Sequence, residues 1–423
     1  MDKKDLQPER IFRVVKLRLL NGIHLLQSNC IMRTITIIYW LVFAAIMMFY
    51  QPAGKIGQVA WFLLRLPFSA AVILVFLASL VKLATPKNAI AIEHDLLRAG
   101  IVNSIGEWPI LLSIRQVEGN RQIAELYSCG ISISKYNDLL LQMEAALNRR
   151  IVRIEEGKDK QTILLYLAPG DVKLPEKIDW SDTYMNEDDF TIALGTSLDG
   201  TYEVNLNVTP HMIVAGSTGS GKTILIKAIM YQALKKKADV YLIDMKGGLD
   251  YPKKWRTEVC NYADERNDAL SLFSAVDEQL ERRKIMLEHH ECANIAEFNR
   301  KYESKLPHIV MVIDEIAELT VSTGLSKEQK QIVENTNRLL DKIARLGRAY
   351  GIHLIIGTQR PDANILPGQT KANCDVRICG RADNTLSMII LDNTDAADRI
   401  PKDSRGRFLT NSGLEFQGYW IDI

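Results

Sequence analysis

The eight residues "GSTGSGKT", Gly216 to Thr223, tolerate very few surroundings. Three glycines in so short a span let the backbone turn through conformations closed to other residues. Successive N–H groups can then converge on one anion. Such a loop works only if both ends are held rigidly. Here "HMIVA" precedes it as an apolar run of strand length, and "ILIKAIMYQALKKK" follows with helical character. Strand, glycine-rich loop and helix make G-x-x-x-x-G-K-[ST] a phosphate cradle and not a chance turn. The helix N-terminus adds partial positive charge. Gly216, Ser217, Thr218, Gly219, Ser220 and Gly221 are expected to wrap the phosphates, Lys222 to reach the β- and γ-phosphates, and the Thr223 hydroxyl to ligate Mg2+. ATP and Mg2+ are the expected cofactors.

Two further strand ends belong to the same chemistry. In "HIVMVIDEIAEL" five apolar residues, Ile309 to Ile313, predict a buried strand. Asp314 at its end is placed to hold Mg2+ through water, and Glu315 to polarise an attacking water. An Asp-Glu pair there favours hydrolysis over simple nucleotide binding. "GIHLIIGTQRP" predicts another buried strand, ending in Thr358 and Gln359, with Gln359 as a γ-phosphate sensor. "DVYLID" ends in Asp244 and runs into "MKGGLDY", for which a structural or coupling role is expected. Alternating strand-like and helix-like segments throughout this half predict a mostly parallel sheet flanked by helices.

The other end of the chain has a different solvent. Thr34 to Gly54 carries no charge. That is about 21 residues, roughly 31 Å as helix, against a hydrocarbon core of about 30 Å. A second uncharged run, Leu66 to Val81, is bracketed by Arg65 and Lys82. Tyr39, Trp40, Tyr50 and Trp61 sit where interfacial aromatics are common. The charged lead of some 33 residues is too long for an ordinary signal peptide. Two membrane spans are expected, at about 34–54 and 62–81. Basic residues set their orientation: Lys3, Lys4, Arg10, Arg13, Lys16, Arg18 and Arg33 precede the first span, while Lys55 and Arg65 lie between the two. Both termini are therefore expected in the cytoplasm, where ATP is found. The basic, apolar segment Glu9 to Leu26 reads equally as a helix on the membrane surface or as a lead helix that sets topology.

Net charge is +1, so any nucleic-acid contact must be local. The six cysteines are scattered without metal-ligand spacing and read as free thiols in a reducing compartment. The expected organisation is a basic N-terminal segment (1–33), a transmembrane hairpin (34–87), a small α/β module (88–180) and a P-loop domain (181–423). In the small module "SKYNDLLLQMEAALNRR" predicts one helix, and "APGDVKLPEKIDW" a linker.

An ordered set of segments now resembles the FtsK/SpoIIIE family of membrane-anchored motor ATPases. It comprises "ALGTSLDG", "PHMIVAGSTGSGKT", "LIDMKGG", "IVMVIDEIAEL", "IARLGRAYGIHLIIGTQRP" and "KANCDVRICGRADNTLSMIILD", and covers about Ile192 to Ile423. The resemblance implies an α/β, RecA-like P-loop ATPase core assembled as a ring, usually a hexamer. DNA, single- or double-stranded, would pass through its pore. Carried onto this chain, Asp314 and Glu315 become the Walker B pair and Gln359 the sensor. A ring also needs a positive charge supplied in trans at the γ-phosphate. Arg345, Arg348 and Arg381 are the candidates. Chromosome-translocating members carry more spans and a winged-helix module that reads DNA orientation. With the chain ending at Ile423, the expectation is instead a bacterial coupling protein of conjugative transfer in the cell membrane, resembling those of Gram-positive elements. Its partners would be a relaxase and transfer-channel proteins. Two alternatives stand beside it: a type VII-like protein-secretion motor, and a membrane nucleotide switch or scaffold that moves nothing. A DNA motor needs basic pore loops, for which Lys253, Lys254 and Arg256 are candidates, with Trp255 to stack on a base.

Overall fold

The computed structural model describes residues 6–117, 121–187, 190–303, 305–360 and 368–422. Lys3, Lys4, Pro361 and Ile423, named above, lie outside them. The chain divides into two compact units, Met1–Val172 and Lys173–Ile423.

In the first unit, α1 (Leu6–Ser28) leads into α2 (Cys30–Phe49) across a single non-helical residue. Asn29 is extended, and its side chain accepts hydrogen bonds from the Ile31 and Met32 amides, which caps α2. α3 (Gly54–Leu83) follows after four residues. Both α2 and α3 are long and apolar enough to cross a membrane, and α2 has no buried residue. The spans differ from expectation at their inner ends. α2 ends at Phe49, ahead of Pro52, so the turn is Tyr50 to Ala53, while Lys55, Trp61 and Arg65 all lie within α3. The aromatics also pack between the helices: the Tyr39 and Phe76 rings stack at 5.5 Å, and Trp40 meets Phe76 edge-on at 5.1 Å.

The rest of this unit contains α4 (Ala89–Arg98), β1 (Ile110–Val117), β2 (Arg121–Tyr127), α5 (Ile133–Asp138), α6 (Leu140–Leu147), β3 (Arg149–Glu156) and β4 (Thr162–Pro169). The strands form an antiparallel sheet in the order β1-β2-β4-β3. The single helix expected here is broken at Leu139, whose backbone leaves the helical region. Helix α1 packs on this module and not simply on lipid. Arg13 Nη1 donates to both Glu107 carboxylate oxygens at 2.9 and 3.0 Å, and Arg18 Nη2 to Glu93 at 3.2 Å. The Arg10 guanidinium lies over the Trp108 ring, 3.7 Å from its centroid. Three of the basic residues counted toward topology are thus engaged with carboxylates or an aromatic face of their own chain.

The second unit begins within the expected linker. Its β5 (Ile178–Asp179) pairs with the last strand, so the segment after Val172 belongs to this unit's sheet. The strands β6 (Thr191–Ser197), β7 (Gly200–Asn205) and β8 (His211–Ala215) precede α7 (Lys222–Lys235). Next come β9 (Asp239–Ile243), α8 (Lys253–Glu258), β10 (Asn261–Ala263), α9 (Arg266–His289) and α10 (Ile295–Lys301). The centre is completed by β11 (Ile309–Ile313), α11 (Ala317–Thr320), α12 (Lys327–Tyr350) and β12 (Ile352–Thr358). Last are α13 (Gly368–Ala372), β13 (Val376–Cys379), α14 (Asn384–Leu391), α15 (Asp395–Arg399), β14 (Arg407–Thr410) and β15 (Glu415–Trp420).

Six strands in the order β10-β9-β11-β12-β8-β13 are parallel, and β14, β15, β6 and β7 extend the sheet antiparallel. Every residue of β8, β11 and β12 is buried. That explains their near-continuous apolar runs, interrupted only by the buried His211, His353 and Thr358, because a parallel strand covered on both faces has no solvent side. One layer packs α9, α12 and α14 against the sheet, and the other packs α7 and α8. Helix α12 opens with a capping box, Ser326 with Gln329, and closes at Gly351 in the left-handed region. All six cysteines are free thiols, as expected.

Candidate nucleotide-binding site

Because β8, β11 and β12 are neighbours in register, their C-terminal ends fall together at one edge of the sheet. Ligands bind at that edge in open α/β sheets. The glycine-rich loop leaves β8 there and enters α7. Gly221 has φ 104°, and a Cβ on it would lie 2.8 Å from the Gly406 amide nitrogen, so only glycine fits. Backbone bonds hold the loop from several sides: Gly216 N donates to Thr358 O at 3.3 Å, Ser217 N to Arg381 O at 2.7 Å, and Gly406 N to Ser220 O at 2.7 Å.

A cavity of about 800 Å3 opens over the loop. Ser217, Gly219 to Thr223 and Gln359 line one side, and residues 403–408 with Tyr419 and Trp420 line another. The Ser220 hydroxyl is buried with no hydrogen-bond partner among the described residues. A buried, unpaired hydroxyl in a phosphate cradle suits a ligand that supplies acceptors.

Beneath the loop, charge is concentrated and dry. Lys222, Asp314 and Glu315 are all buried. Lys222 Nζ donates to Asp314 Oδ1 at 2.9 Å and also to the Asp314 carbonyl. Burial pushes the Asp314 carboxyl up, but Lys222 and Lys246 outweigh it and hold it below the usual carboxylate range. Burial dominates at Glu315 and raises it, despite Lys222, the Ala317 amide and two further hydrogen bonds. Those two come from the neighbouring strand: Thr358 Oγ1 donates to Oε1 and Gln359 N to Oε2, each at 3.0 Å. The Gln359 side chain accepts from Thr218 Oγ1 at 3.1 Å. Thr218 of the phosphate loop, Gln359 and Glu315 thus form one connected network. The group acts as a carboxylate held in a dry site beside a fixed amide, an arrangement suited to orienting water.

The donor set also suits a small hard cation. The Thr223 hydroxyl lies at the start of α7 on the cavity wall, and Asp314 adds a buried carboxylate. Oxygen donors few in number fit Mg2+ held mainly by phosphate and water. The second carboxylate oxygen already faces a cation, since Lys246 Nζ stands 3.0 Å from Asp314 Oδ2.

The three candidate trans arginines separate. Arg345 and Arg348 are exposed near the C-terminus of α12, just before β12 begins, so they lie at the sheet edge opposite this chain's own phosphate loop. Arg381 does not. Its Nη2 donates to Thr218 O and its Nη1 to Lys402 O, each at 2.7 Å, so it braces its own loop in cis. Trp255 is a second correction. It is 3% exposed, within the core between α7 and the sheet, and offers no face to a base. Arg256 lies over the Tyr262 ring, which leaves Lys253 and Lys254 exposed. Sequence reasoning missed Lys246 and Tyr251, which both reach Asp314, and the wall formed by residues 403–408. The Asp244 carboxylate, expected in a structural or coupling role, accepts the Lys246 and Gly248 amides.

Comparison with known proteins follows the same residues. The FtsK/SpoIIIE family profile matches residues 174–363. The chain is 29% identical over 295 residues to the DNA translocase FtsK of Caldanaerobacter subterraneus subsp. tengcongensis, covering 65% of this chain and 39% of that protein. It is 34% identical over 221 residues to the DNA translocase FtsK of Treponema pallidum, covering 48% and 26%. A solved structure of the pCW3 conjugation coupling protein TcpA, in monomer form with ATPγS, is 33% identical and superposes with a TM-score of 0.59, over 79% of this chain and 96% of that one. The chain belongs to the FtsK/SpoIIIE family. Its second unit is a P-loop ATPase domain of that family. The chain spans only about a quarter to two fifths of the length of those curated FtsK relatives.

Proposed function

We propose that this chain is a membrane-anchored ATPase that hydrolyses ATP to move DNA, acting as a coupling protein of conjugative transfer. The observation that carries this reading is the likeness to TcpA, at 33% identity across nearly all of that chain. The two long apolar helices ahead of the ATPase domain support the membrane anchor, with both termini in the cytoplasm.

The site residues divide the work. Lys222 leaves Asp314 and pairs with the β- and γ-phosphates, while the loop amides and the Ser220 hydroxyl hold phosphate oxygens. Thr223 and Asp314 would hold Mg2+, which neutralises phosphate charge when bound. Glu315, oriented by Thr358 and Gln359, aligns the attacking water and takes its proton. Gln359 links that carboxylate to the phosphate loop through Thr218. Arg345 and Arg348 act on the neighbouring subunit's γ-phosphate in a ring, a hexamer in this reading. Lys253 and Lys254 contact DNA phosphates. The four-stranded module of the first unit receives the relaxase and transfer-channel proteins.

The test is ATP turnover by the full chain in nanodiscs, with and without single- and double-stranded DNA, and with Glu315→Gln as the control. Stimulation by DNA that vanishes in the variant supports the reading and shows the preferred strand form. A chain shown to form rings whose turnover responds to neither DNA form would contradict it and point to a protein substrate.

A further inference from the structure

Three side chains of this chain converge on Asp314. Lys222 Nζ lies 2.9 Å and the Tyr251 hydroxyl 3.3 Å from Oδ1, and Lys246 Nζ lies 3.0 Å from Oδ2. The carboxylate is fully buried, whereas Lys246 is 32% exposed, so Lys246 reaches in from outside. It comes from the segment joining β9 to α8, whose two ends both touch Asp314, through Lys246 and Tyr251. Between them the segment is pinned by Asp244, which accepts the Lys246 amide at 3.1 Å and the Gly248 amide at 2.9 Å. Its tip is Leu249, a large apolar residue left 87% exposed. Lys246 already has a second carboxylate partner: its Nζ donates to Asp250 Oδ2 at 3.1 Å, and Asp250 lines the nucleotide cavity.

An ammonium group stands close to each oxygen of this carboxylate, and the one at Oδ2 is an ion pair without a hydrogen bond, so its positive charge opposes a hydrated divalent cation approaching from that side. Lys222 has a destination, the phosphates. Lys246 stands instead against Oδ2, the oxygen that Lys222 does not contact. Without either ammonium, the buried charge of Asp314 would stand uncompensated, which is costly.

We propose that Lys246 is a resident counter-ion on Asp314 that holds the metal's place and, still paired with Asp250, leaves Asp314 when metal and nucleotide are seated, carrying the Met245–Tyr251 segment and its Leu249 tip. Lys246 is thus a positioning residue that ties site occupancy to the exposed tip of this segment. The inference rests on Asp314 being the metal-facing carboxylate, and the experiment tests that separately.

The measurement is Mn2+ affinity in the presence of ADP, read by electron paramagnetic resonance on the full chain in nanodiscs. Lys246→Met removes the competitor, and Mn2+ is expected to bind roughly tenfold tighter than in the unsubstituted chain. Lys246→Arg keeps a cation there and stays near the unsubstituted affinity. Should Lys246→Met fail to fold, Lys246→Gln makes the same comparison. Asp314→Asn must weaken Mn2+ binding; if it does not, the reading of Asp314 fails and the counter-ion inference falls with it. If Asp314→Asn weakens binding while Lys246→Met leaves it unchanged or weaker, only the counter-ion inference is overturned. The segment's movement has its own readout. An environment-sensitive label on Leu249→Cys, with the two exposed cysteines replaced (Cys30→Ser and Cys260→Ser), should shift its emission when Mn2+ and ADP are added together. In Lys246→Met it should hold the shifted emission from the start. An emission that ignores Mn2+ and ADP in the Lys246 chain overturns the coupling.

Discussion

Adding one methyl group at Gly357 tests how tightly the site is built. A Cβ there would lie 2.3 Å from the Asp314 carbonyl oxygen, and 3.0 Å from both the Asp314 carbonyl carbon and the Ile313 oxygen. All three are backbone atoms between packed strands, so no rotamer change relieves them. An ordinary carbon–oxygen contact needs about 1 Å more than the closest of these. Either β12 or the end of β11 must move by that amount. Asp314 then shifts against Lys222, which donates to that same carbonyl, and Glu315 shifts against Thr358. Overpacking of this kind costs about 1–3 kcal/mol of stability. A displacement of about 1 Å at reacting groups costs on the order of 100-fold in rate. Gly357→Ala should therefore lower ATP turnover by roughly two orders of magnitude while nucleotide still binds, and should lower the melting temperature by several degrees. Gly368→Ala is the control, since among the described residues a Cβ there meets nothing within 4 Å. Turnover and melting temperature for Gly357→Ala within twofold and one degree or so of the control would refute the reasoning.

Thr358→Val removes the hydroxyl that anchors Glu315; turnover should fall about tenfold with nucleotide affinity unchanged, as a stopped-flow comparison of binding and hydrolysis would show. Trp255→Ala should cost about 3–5 kcal/mol in a denaturant melt but leave the salt dependence of DNA binding alone, because the ring is core. Replacing Lys253 and Lys254 together by Ala should leave the melt alone and reduce the salt slope of DNA affinity by about 2. Stability should also fall in mild acid. Burial lowers His211 to about 4 and holds His353 well below the ordinary 6.5. Both stay neutral in the fold while the unfolded chain takes up protons below about 6.5. Stability is therefore complete above that pH and is lost as pH falls toward 4, by roughly 3 kcal/mol for His211 alone. Melts at pH 7 and pH 5 measure it, and equal stability at the two would contradict the neutral assignment.

What the sequence made legible was whatever is local. The phosphate loop, Asp314, Glu315 and Gln359 each sit at the end of a near-continuous apolar run, so strand and side chain could be read together. What it hid was whatever the sheet order brings together. Lys246 follows β9, and only the pairing of β9 beside β11 puts it on Asp314. The cavity wall of residues 403–408 comes from the antiparallel extension, whose mixed strands carry no phosphate-site signal. Trp255 among basic residues read as a stacking platform; the turn after Pro252 instead rotates it inward, beneath Lys253 and Lys254. Arg381 read as a candidate trans-acting arginine, because its bonds to the Thr218 and Lys402 carbonyls join segments far apart in sequence. The arginines of α1 meet Glu93 and Glu107, partners too distant in sequence for any periodic pattern to mark.

The claim at the centre is that ATP hydrolysis at this site moves DNA. Its most direct test is displacement of streptavidin from end-biotinylated single- or double-stranded DNA by the full chain in nanodiscs. The account predicts displacement that requires ATP and Mg2+, is confined to DNA the protein can thread, and is abolished by Glu315→Gln. Robust ATP turnover with no displacement from either DNA form, in a chain shown to form rings, would contradict it.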